Sequence, residues 1–84
     1  MSDESIAARI ERLVAEEGEL RSSEQRDSVD EERLAEDRRR LSAVEVELDR
    51  CWDLLRQRRA LRETGRNPDQ AEARDAGTVE NYLQ

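Results

Sequence analysis

The chain has 84 residues, 35% apolar and 44% charged, with 15 basic against 22 acidic residues and a net charge of −7. All 15 basic residues are Arg, there is no His or Phe, and Cys, Trp and Tyr occur once each. This excludes His-based acid/base catalysis, a Schiff-base lysine, a P-loop and a Cys/His zinc site, and a single Cys permits no internal disulfide.

The longest apolar run is three residues, too short for a membrane span, and the acidic start at Asp3 and Glu4 does not read as a signal peptide. Nine of the apolar residues are Ala, so the core is small. Unaided cores of this size supply only ~3–5 kcal/mol. With three Gly and one Pro, the composition points to long helices, and the periodicity below argues against disorder.

The first helix is expected over about 2–22, capped by Ser2 with Asp3 and Glu4 in its first turn. Ile6, Ile10, Leu13 and Leu20 form one helical stripe, interrupted by Glu17, and Gly18 weakens the end. Residues 22–28 hold no large apolar side chain and read as a connection. Ser28 followed by Glu31 has the form of a capping box.

The long helix is expected over about 29–64. Leu34, Leu41, Leu48 and Leu55 lie seven apart, with Val44 and Cys51 at the intervening seam position. Gly65 stands where a left-handed C-cap is expected, and Pro68 prevents continuation. The tail, 65–84, opens with the turn residues Asn67-Pro68-Asp69 and closes with Val79, Tyr82 and Leu83 on one face of a last helical turn.

A short connection between two amphipathic helices predicts an all-α, antiparallel, coiled-coil-like hairpin, a single domain whose tail packs on the longer helix. Matching layers outward from the connection sets Leu20 opposite Leu34, Leu13 opposite Leu41, Ile10 opposite Val44 and Ile6 opposite Leu48. The same register sets Glu17 against Asp37, two like charges. It also leaves an uncovered overhang bearing Trp52, Leu54, Leu55 and Leu61, to be covered by the Tyr82/Leu83 tail, by a second copy, or by both. Trp52 itself, beside Leu48 and Leu55, reads as core, and Cys51 as a small buried hydrophobe.

Charge is uneven. Residues 1–37 carry 13 acids and five Arg, whereas 38–66 carry nine Arg and five acids. Arg56, Arg58, Arg59, Arg62 and Arg66 form a candidate stripe for phosphate or an acidic partner surface. The favoured reading is a solvated face paired with nearby acids, through Glu36–Arg40, Glu47–Arg50, Asp53–Arg56 and Glu63–Arg66 at helical spacing.

The run Glu47-Leu48-Asp49-Arg50-Cys51-Trp52-Asp53-Leu54-Leu55-Arg56-Gln57-Arg58-Arg59-Ala60 resembles a family of short actinobacterial proteins known as a domain of unknown function. Asn67-Pro68-Asp69 and the ending from Val79 to Gln84 fit the same family pattern. The resemblance implies an actinobacterial, cytoplasmic protein and brings no activity or catalytic residue.

The expected function is therefore a non-enzymatic interaction module that self-associates, as a dimer, docks a larger partner, or does both. The docking surface is the Trp52–Leu61 end of the long helix with its Arg stripe. A nucleic-acid, ribosome or RNA polymerase accessory role is the second reading. No cofactor, metal, membrane or small-molecule substrate is expected.

Overall fold

The computed structural model of the chain describes residues 2–73. Two antiparallel helices form a hairpin, α1 (Asp3–Arg26) and α2 (Glu31–Glu63), followed by a 3-10 turn at Pro68–Gln70. Its overall extents are 54 × 25 × 15 Å. There is no strand among the described residues.

Side-chain caps fix both helix starts. Ser2 and Ser5 satisfy each other reciprocally: the Ser5 amide donates to Ser2 Oγ at 3.1 Å and the Ser2 amide to Ser5 Oγ at 3.0 Å. For α2 the cap is Asp30, whose carboxylate accepts from the Arg33 amide at 3.2 Å. This corrects the expected Ser28–Glu31 box. The reason lies upstream, because α1 continues past residue 22 to Arg26 and leaves only residues 27–30 to turn the chain. Asp30 then has the extended backbone that a cap requires.

The end of α2 follows the sequence signal. Gly65 takes φ +74°, its amide donates to the Arg62 carbonyl, and the Arg66 amide donates to the Leu61 carbonyl at 2.7 Å. That is the paired bonding of a Schellman motif, which only a residue free of Cβ strain enters easily. The Asn67 side chain then accepts from the Asp69 amide at 3.0 Å, and Pro68 opens the 3-10 turn.

The core between the helices is Ile6, Ile10, Leu20, Val44, Leu48, Cys51 and Leu54, with Leu13, Leu41, Leu55 and Ala71 packed against it. Its register differs from the expected one. Ile6 shares a cleft with Cys51 and Leu54, and Asp3 reaches Arg58, one to two turns further along α2 than the Ile6–Leu48 pairing sets them. The extended α1 and the tighter turn shift every facing pair. One consequence removes the expected charge clash: Asp37 meets Ser23, whose hydroxyl lies 3.0 Å from it, while Glu17 pairs with Arg21 on its own helix at 3.8 Å.

The shift also removes the overhang. Although α2 has 33 residues and α1 has 24, the α1 N-terminus lies beside the last turns of α2, and the chain after Pro68 folds back on the same region. Leu54 is buried, and Leu55 and Leu61 are half-buried. Only Trp52 of the expected apolar patch is exposed, at 53%. Its assignment to the core is thereby corrected.

Candidate functional site

Arg58 is the point where the three parts of the fold meet. It follows Val44 and Cys51 at the same seven-residue interval, so its side chain enters the seam and is only 9% exposed. A guanidinium there requires counter-charges and donors' partners. Nε donates to Asp3 Oδ1 at the start of α1, and Nη1 donates to Asp69 Oδ1 in the 3-10 turn at 3.0 Å. Arg62 holds the other Asp3 oxygen at 2.8 Å. Hydrogen bonds from Arg62 and then Arg58 hold the Asp3 carboxyl below its ordinary range, and those to Asp3 and Asp69 push Arg58 further up. Asp3 at the α1 N-terminus and two Arg near the α2 C-terminus also complement both helix dipoles. Chemically this is a clamp.

A second contact pins the returning chain. Gln57 Nε2 donates to the Glu72 carbonyl at 2.8 Å and to Asp53 Oδ2 at 2.9 Å. Asp53 is 2% exposed, although it lies roughly half a turn away from the Leu48–Leu55 seam. Every buried side-chain nitrogen or oxygen among the described residues has a partner.

The seam residues divide by depth: Val44, Leu48 and Cys51 are buried, and Leu34, Leu41 and Leu55 half-buried. Burial pushes the Cys51 thiol up, which disfavours the thiolate and agrees with an apolar packing role. The cleft it lines with Ile6 and Leu54 measures only about 160 Å³, below the usual range for small-molecule sites. No three Cys, Asp or Glu side chains converge as a metal site among the described residues.

The five Arg of the candidate stripe do not share one face. Arg58 is turned inward, Arg62 leans to Asp3, and Arg59 pairs with Glu63 at 3.0 Å while remaining exposed. Arg56 and Arg66 are exposed. Upstream, Arg40 crosses to Glu16 at 3.2 Å and Arg9 to Glu47 at 2.9 Å, with Arg50 also on Glu47 at 3.0 Å. Glu47–Arg50 is one of the spacings expected from sequence; Arg40 and Glu63 choose other partners.

Those crossings define two flanks. On one, Arg9–Glu47 and Glu16–Arg40 are related by seven residues along each helix. On the other, Arg21–Glu45 at 3.2 Å is the marker. Seven residues along each helix from that pair stand Val14 and Trp52, on the same flank. Val14 is 50% exposed and Trp52 53%. Two large apolar side chains thus share an otherwise charged flank.

A family model described as a protein of unknown function, DUF2630, matches residues 2–84. The chain belongs to the DUF2630 family. Uncharacterised proteins of Mycobacterium bovis and Mycobacterium tuberculosis are similar to it, each 47% identical over 81 residues, or 96% of this chain and 90% of theirs. No solved structure matches. The resemblance to an actinobacterial domain of unknown function is therefore a finding.

In this DUF2630 chain, sequence reasoning missed three things: the Asp3–Arg58–Asp69 convergence, the burial of Asp53, and the exposure of Val14. The seven-residue interval from Cys51 to Arg58 was the available signal for the first, and the Asp53–Gln57 spacing of four for the second. Tyr82 and Leu83 lie outside the described residues. No described helix is long and apolar enough to cross a membrane.

Proposed function

We propose that this DUF2630 chain is a small, non-enzymatic helical interaction module working in the cytoplasm, and that it engages other protein through the Val14/Trp52 flank. The observation that carries this reading is Trp52. It is the single Trp, it is 53% exposed, and it shares its flank with the exposed Val14. Exposed aromatic side chains of this kind are the usual anchors of protein interfaces. Leu54 and Leu61, first grouped with Trp52, serve the hairpin itself.

The second reading, an RNA or DNA contact through the Arg stripe, draws less support. Arg58 is spent on Asp3 and Asp69, Arg59 and Arg62 hold acids, and the chain is acidic overall.

Photo-crosslinking tests the proposal. A photoreactive amino acid replaces Trp52 in one variant and the exposed Arg39, on another face of α2, in a second, both expressed in a mycobacterial host. A discrete protein adduct from position 52 and none from position 39 is the expected result. No adduct, or the same adducts from both, overturns it.

A further inference from the structure

We propose that the Trp52 face of α2 pairs with the same face of a second copy of the chain, antiparallel, about a two-fold axis at Trp52. This rests on the reading of that flank as an interface and names its occupant. Glu45, Asp49, Trp52, Arg56 and Arg59 are spaced by four, three, four and three residues, which places them on one face of the helix. All are exposed except the half-buried Asp49. The face is roughly 21 Å long at 1.5 Å per residue.

The order of charges along it selects the partner. Two acids precede Trp52 and two Arg follow it, at nearly mirrored distances, so the face is neutral in sum and opposite in sign at its ends. Turned end for end, a second copy sets its Arg59 against Glu45 and its Arg56 against Asp49, and does so twice by symmetry, with the two Trp52 rings at the centre. A parallel arrangement sets like charges together at both ends. Glu45 and Arg59 hold Arg21 and Glu63 within the chain. These are exposed pairs of the kind that contribute ~0–1 kcal/mol, so exchange for intermolecular partners costs little. The charges set orientation, and the apolar centre supplies the attraction. An interface this size belongs to the weak, reversible class.

Sedimentation equilibrium of the whole chain tests this, from about 10 μM to 1 mM, the range of weak association, in about 0.15 M salt, where screening over about 8 Å suppresses the net charge but not contacts. The wild type is expected to pass from monomer to dimer, with a parallel blue shift of its only Trp emission. Glu45→Arg/Asp49→Arg and Arg56→Glu/Arg59→Glu are each expected to weaken pairing at least tenfold, and an equimolar mixture of the two to restore a dimer. Trp52→Ser is expected to abolish it. Circular dichroism checks that each variant is folded, and the single reversals Glu45→Arg and Arg59→Glu stand in for any double variant that is not.

A wild type monomeric throughout, a dimer indifferent to the reversals, or a mixture that stays monomeric overturns the proposal. A monomer that still gives a foreign adduct from position 52 sinks this pairing alone. A monomer with no adduct sinks the interface reading as well.

Discussion

Arg58 and Asp3 stand 55 residues apart in sequence and touch directly, guanidinium Nε to carboxylate Oδ1. Through this contact and the one to Asp69, a single side chain ties the start of α1 and the returning chain to the end of α2. Both carboxylates remain partly in water, 42% exposed at Asp3 and 65% at Asp69, whereas the guanidinium does not. Losing the hub therefore costs more than losing either spoke.

Arg58→Met is accordingly expected to lower the melting temperature more than Asp3→Asn or Asp69→Asn, measured by circular dichroism. The pH response has a definite sign. Asp3 titrates lower in the folded chain than in the unfolded one, where a carboxyl of this type titrates near ~4. Its contribution is thus complete above that value and is lost as pH falls through the depressed folded value. Wild type should melt above Asp3→Asn at neutral pH, and the two should converge in strong acid. A gap that stays constant down the acid limb means that Asp3 acts by packing rather than by charge.

Trp52 and Leu54, two residues apart on α2, should respond very unequally to truncation. Leu54 is buried within the core cluster, and Leu54→Ala should destabilise by about 2–5 kcal/mol. For a domain of this size that approaches the whole margin. Trp52→Ala, at a half-exposed position, should cost under about 1 kcal/mol at concentrations where the chain is monomeric. Urea unfolding followed by circular dichroism decides between them. A loss above about 3 kcal/mol for Trp52→Ala returns the ring to the core and removes the basis of the proposed interface.

What the sequence makes legible here is local. Ser2, Gly65 and Asn67-Pro68-Asp69 act through bonds spanning a few residues, and each does what its chemistry dictates. The seven-residue Leu repeat likewise identifies the seam. The register is not local, because it depends on where α1 stops. Residues 22–26 look like a connection for want of large apolar groups, but Glu24, Gln25 and Arg26 are adequate helix formers. A two-helix hairpin tolerates a polar last turn at its tip, where Gln25 and Arg26 face water. Four further helical residues then move every facing pair, bring Asp3 to Arg58, and convert the expected overhang into covered surface. The exposure of Trp52 has a different reason: adjacency to Cys51 puts it 100° around the helix, at the rim of the seam rather than in it.

The two described glycines offer a last contrast, because one is a constraint and the other is not. Gly18 lies inside α1, is exposed, and has nothing within 4 Å of where a Cβ would stand. Its only effect is the larger backbone entropy lost on folding, so Gly18→Ala should stabilise by about 0.5–1 kcal/mol. Gly65 also has open space around it, but its φ of +74° lies in the left-handed region. There a Cβ clashes with the chain's own carbonyl, so Gly65→Ala should destabilise by ~1–2 kcal/mol. Opposite signs in equilibrium unfolding are the expected outcome. If both substitutions stabilise, the Schellman motif at the end of α2 does not control how the chain turns back toward Arg58.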